Sequence, residues 1–93
     1  MASWPIPKDP DAVLDYQFDW SRYLQSGETI VTSTFIPVGS LTLELFNESV
    51  DGAFTTFWAR GGETGDVAKI TNRVTTSQGR TDDDTGTLRI RPR

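Results

Sequence analysis

Phe57-Trp58-Ala59-Arg60, then Gly61-Gly62-Glu63-Thr64-Gly65, then Asp66-Val67-Ala68-Lys69-Ile70-Thr71-Asn72-Arg73-Val74 follow one another past the middle of the chain. Two segments rich in aromatic and β-branched residues flank a connector with three glycines, the composition of two strands joined where the backbone needs positive φ. The stretch reads as a central β-hairpin, and it sets the expectation of a small all-β domain. It offers no nucleophile, no acid/base pair and no ligand cluster.

Working outward, Ala53 to Arg60 continues as a strand on one side, and Asp66 to Thr76 on the other. Leu14-Asp15-Tyr16-Gln17-Phe18-Asp19-Trp20 alternates without exception, the period-two signature of a half-buried strand. Ser21 to Gly27 loses that period and suits a short helical turn capped by Ser21, with Tyr23 and Leu24 plugging one end of the core. Thr29 to Ile36 is β-branched almost throughout and is expected to stop at Pro37, and Leu41, Leu43 and Leu45 alternate inward. Asn47 to Gly52 reads as a loop ending in an Asp-Gly turn, and Gly79 to Gly86 as a polar loop before a last strand, Thr87 to Arg91. About six or seven short strands with polar turns indicate a small antiparallel β-sandwich of immunoglobulin-like type. The expected core is Leu14, Phe18, Ile30, Leu43, Phe57, Ile70, Val74, Leu88 and Ile90, each worth about 1.5 to 3 kcal/mol when buried.

Residues 1–13 hold Pro5, Pro7 and Pro10, which cannot donate to a ladder, so they read as an extended arm ahead of a sandwich over residues 14–93. Trp4 and Ile6 on that arm can either fold back on the sandwich or dock on a neighbour. With 93 residues the chain makes one domain that buries only about 60 to 65% of its unfolded surface. It has no cysteine and no histidine, which removes disulfides, thiolates and the commonest acid/base group. No run has the length of a signal peptide's apolar core or a membrane span. The net charge of −4 argues against general binding to nucleic acid or anionic membrane. The signs are uneven: residues 1–51 set eight carboxylates against Lys8 and Arg22, whereas residues 52–93 carry a basic excess. Either neighbouring strands pair them within the domain, or acidic and basic regions meet on different subunits.

Other chemistries fit poorly. Asp82-Asp83-Asp84 lacks the alternating spacing and distal glutamate of a calcium loop, and reads as solvated or paired with Arg80. The glycines at 61–65 are followed by no lysine at the phosphate-loop step. Trp20, Phe54 and Trp58 could form a sugar-stacking platform, although such aromatics are more often core. No catalytic residue, metal site or cofactor is expected, and the chain is not expected to be an enzyme.

Four groups of residues carry a resemblance. Lys8-Asp9-Pro10-Asp11-Ala12-Val13-Leu14-Asp15-Tyr16 with Asp19-Trp20, then Gly27-Glu28-Thr29-Ile30, then Trp58-Ala59-Arg60-Gly61-Gly62, and finally Thr75-Thr76-Ser77-Gln78-Gly79-Arg80-Thr81-Asp82 resemble, in order and spacing, a family of small tailed-bacteriophage virion proteins, the fiber-tail adaptors. The resemblance implies an immunoglobulin-like sandwich present in several copies around the neck or tail, without enzymatic activity. Its partners would be other virion proteins and copies of itself in a ring around the tail axis, with no nucleic acid and no membrane. It would be made in the host cytoplasm and reside in the virion. Capsid decoration and a glycan-binding module are the alternatives. The residues expected at the partner interface are Trp4 and Ile6 as apolar anchors, with Arg80, Asp82, Arg91 and Arg93 setting register through charge.

Overall fold

Alternation is the rule that builds the strands. In Val67–Thr76 every second side chain is buried, namely Ala68, Ile70, Asn72, Val74 and Thr76, and the rest face outward. The structure, a computed structural model, describes residues 4–92. Its strands are β1 (Ile6–Lys8), β2 (Leu14–Asp19), β3 (Ile30–Val38), β4 (Leu43–Asp51), β5 (Phe54–Gly61), β6 (Val67–Thr76) and β7 (Thr81–Ile90), with no helix among the described residues. They form two sheets, ordered β1-β7-β6-β3 and β2-β5-β4. All pairings are antiparallel except that of β1 with β7. The expected all-β sandwich is present. Separating β2, β5 and β4 from β3, β6 and β7 is also how an immunoglobulin-type sandwich divides its second to seventh strands.

The central stretch is not a hairpin. β5 and β6 lie in opposite sheets, so residues 62–66 arch across the core. Five residues reach roughly 17 Å, enough to join sheets about 10 Å apart. A hairpin and an arch demand the same glycines, because both need positive φ: Gly61, Gly62 and Gly65 have φ of 79°, 91° and 96°. At Gly61 a Cβ would sit 2.5 Å from the Thr42 carbonyl oxygen. The hairpin in this region is β4–β5, where Asp51 pairs with Phe54 across Gly52-Ala53 and Gly52 supplies φ of 60°.

Several expected boundaries also move. Part of the arm is a strand: Ile6, Pro7 and Lys8 run parallel to Leu88, Arg89 and Ile90. A proline is tolerated there because β1 is an edge strand. For the same reason β3, the opposite edge, continues through Pro37 to Val38. Leu41 lies outside β4 and is fully exposed, whereas Leu43 is buried and Leu45 partly so. β4 extends through the expected loop to Asp51 by way of a register shift between Phe46 and Ser49, where Asn47 takes positive φ. Residues 81–86 are strand, not loop, because Thr81, Asp83 and Thr85 find Thr75, Arg73 and Thr71 opposite them on β6. Ser21 caps no helix. Instead Tyr23 and Leu24 donate to the Trp20 carbonyl in a turn, and both pack against the core as expected.

The core contains eight of the nine expected residues. Leu14 is 44% exposed at the start of β2, and Tyr16, Trp20, Ala59 and Ala68 complete the set. With no disulfide available, polar groups tie the sheets. The buried Asn72 side chain on β6 accepts from Trp20 Nε1 (2.9 Å) and from Thr55 Oγ1 on β5, and donates to Ser33 Oγ (2.9 Å) and the Thr34 carbonyl (3.0 Å) on β3. Every bonding position of that amide is used, which makes its burial tolerable. Lys8, also buried, donates from Nζ to the carbonyls of Gly61 (2.7 Å) and Asp9 (2.9 Å). It thereby clips β1 to β5 in the other sheet, and burial pulls its pKa below the usual lysine value.

Candidate functional site

The six residues expected at a partner interface fall into three groups. Trp4 and Ile6 are partly buried against the domain's own core. The Trp4 indole stacks on Phe57 (ring centroids 6.4 Å apart, planes 4°) and tilts against Phe18 and Tyr16. Arg80 is engaged internally: Nε donates to Glu28 Oε2 (2.9 Å), an Nη donates to the Tyr23 carbonyl (3.0 Å), and the guanidinium lies 4.3 Å over the Tyr23 ring. Glu28 is buried, accepts further hydrogen bonds from Thr76 Oγ1 and the Gln25 amide, and has its carboxyl held down to about 2, chiefly by Arg80. Asp82 and Arg91 have exposed side chains. Arg93 lies outside the described residues.

The acidic run does not act as a unit. Asp83 accepts two hydrogen bonds from Arg73, at 2.8 and 2.9 Å, across the β6–β7 ladder. Asp82 and Asp84 each accept from the next residue's backbone amide. Only Asp83 finds its partner through strand pairing, and that partner is Arg73 and not Arg80, the nearest cation in sequence.

Two outward sheet faces that sequence reasoning did not assemble are the more informative surfaces. Residues directly opposite in antiparallel strands share a face, with Cβ atoms about 4.5 to 5.5 Å apart. On the β2-β5-β4 sheet this gives three rows: Asp19, Phe54 and Asp51; then Gln17, Thr56 and Ser49; then Asp15, Trp58 and Phe46. Arg60 and Glu44 follow as a pair at 2.7 Å, with the Arg60 guanidinium 4.3 Å over the Phe46 ring. Phe54 is 36% exposed, and Trp58 is half-buried beside Phe46. Trp20 is buried on the other side of the sheet and is no part of any sugar-stacking platform.

The outward face of β7-β6-β3 differs in kind. Its rows are Thr81, Thr75 and Thr32; Asp83, Arg73 and Thr34; Thr85, Thr71 and Ile36; Thr87, Lys69 and Val38; then Arg89 and Val67. Thr71 and Thr85 hydroxyls bond at 2.9 Å, and those of Thr75 and Thr81 at 3.1 Å. Once Arg73 and Asp83 have paired, the face is left with the exposed cations Lys69 and Arg89, and with Arg91 just beyond the strand. Near the same end an open recess of about 360 Å³ lies between Gly39, Leu41, Thr42, Glu63 and Asp66.

The uneven charge along the chain thus becomes a difference between two surfaces. No curated protein matches the chain. One family model does match, over residues 8–89, and the chain accordingly belongs to the family described as podophage GP4 fiber-tail adaptor protein gp77.

Proposed function

We propose that this protein is a non-enzymatic structural component of a phage virion, joining tail or neck to fibers through protein–protein contacts repeated in several copies. The observation that carries this reading is the family match over residues 8–89. The fold supports it: a sandwich tied across its core by Asn72 and Lys8 is a rigid spacer that leaves its two outward faces and its loops free for contact. Because Trp4 and Ile6 pack against the core and Arg80 pairs with Glu28, binding is assigned to exposed groups, with Asp82 and Arg91 retained from the sequence reading. Weak contacts repeated around a symmetric tail gain strength through effective concentration.

The test is genetic and structural. Particles assembled without this protein are expected to have complete heads and tails that lack fibers. Fibers attached at normal number in its absence would overturn the adaptor reading, and loss of a capsid surface layer would assign the protein to decoration instead.

A further inference from the structure

The outward face of β2-β5-β4 carries an arrangement that this protein fills elsewhere with an arginine. Arg60 lies over the Phe46 ring and pairs with Glu44, and Arg80 lies over the Tyr23 ring and pairs with Glu28. In both places a guanidinium rests on an aromatic face while a carboxylate takes its N–H groups, a combination suited to arginine's planar fork. Asp19, Phe54 and Asp51 repeat the combination in one row, and Asp15 beside Trp58 repeats it about 14 Å away, four residues along the strand. Among the described residues no arginine lies over Phe54 or Trp58, and Asp15 and Asp51 make no ion pair, whereas Asp19 accepts from the Ser21 amide and has Arg22 near it.

The opposite face of the same molecule carries cations without partners. Lys69, Arg89 and Arg91 are exposed among Val38, Val67 and Thr87 and make no ion pair among the described residues. We infer that the two faces bind each other between copies: the Lys69–Arg89–Arg91 surface of one copy docks on the Asp15–Asp19–Asp51 surface of the next, with arginine stacked on Phe54. The occupant is a second copy because the chain itself supplies both signs, with apolar groups among each.

The contact joins unlike faces on opposite sides of the sandwich, so each copy keeps one face free and the series closes only as a ring or continues as a filament. Three strands about 4.8 Å apart and some eight residues long give a footprint near 400 Å² per side, roughly half that of a standard interface. The contact is therefore weak in pairs, sensitive to salt, and effective when repeated. It rests on the multi-copy part of the function proposed above, and it is tested on the purified protein so that its failure leaves fiber attachment untouched.

Sedimentation equilibrium of the purified chain is the experiment. At about 50 mM salt and protein concentrations up to about 1 mM the wild type is expected to self-associate, with affinity falling about tenfold or more at roughly 500 mM salt. Lys69→Glu with Arg89→Glu, and separately Asp15→Lys with Asp51→Lys, are expected to be folded by circular dichroism and monomeric alone. An equimolar mixture of the two variants is expected to associate again, since each reversed face then meets its complement. A wild type that stays monomeric throughout, association that does not respond to salt, or a mixture no more associated than its components would each overturn the inference.

Discussion

Gly86 faces the core without a side chain because the Trp4 indole occupies the place where a Cβ would be, with its nearest atom 2.2 Å from that position. Gly86→Ala should displace Trp4 and cost about 1 to 3 kcal/mol by overpacking. The cost should shrink in a Trp4→Ala background, since the two sites share one contact; urea denaturation of the four proteins checks this. Asn72 makes the corresponding polar case. Asn72→Ala leaves Trp20 Nε1, Thr55 Oγ1 and the Thr34 carbonyl without their buried partner, and should lower stability by about 2 to 4 kcal/mol in the same assay. Glu28 gives a pH signature. Its carboxyl is held at about 2, against 4.5 for an ordinary glutamate, so its contribution is present in full above about 4.5 and is lost as pH falls toward about 2. Denaturation midpoints measured from pH 6 to pH 2 should fall less steeply in Glu28→Gln than in wild type across that window.

At the scale of elements, β1 makes the N-terminal segment part of the sandwich. Trp4 and Ile6 pack on the core, and Lys8 bonds across to Gly61. Removing residues 1–8 should therefore destabilise the domain by roughly 3 to 6 kcal/mol, as urea unfolding would show, whereas an independent docking arm would leave stability unchanged. Failure of such a truncation to enter particles would report unfolding, so docking is better probed by surface substitution. The parts of this architecture that were legible in the sequence are those set by local periodicity. Tyr16, Phe18 and Trp20 alternate inward as read, as do Leu88 and Ile90. What could not be read locally was set by strands distant in sequence. The glycines of 61–65 satisfy an arch as well as a hairpin. Asp82, Asp83 and Asp84 read as loop until β6 places Val74, Arg73 and Asn72 opposite them. Arg80 reads as a partner-facing cation, or as one paired with the Asp82–Asp84 run, until Glu28, 52 residues away, is found against it.

For the whole molecule, the sequence showed charge separated between halves but left open whether the signs meet within the domain or between subunits. Folding does both. It pairs Arg73 with Asp83, Arg60 with Glu44 and Arg80 with Glu28, and it leaves Asp15 and Asp51 on one outward face with Lys69 and Arg89 on the other. The family assignment says where such a block belongs, and the faces say how it could be held there. The most direct test of the account is a density map of the assembled particle at side-chain detail. It predicts this sandwich between tail and fibers, with Trp4 inside its own core and the two outward sheet faces covered by neighbouring chains. A sandwich found on the capsid surface, or one seated between tail and fibers by its N-terminal segment with both faces open to solvent, would contradict it.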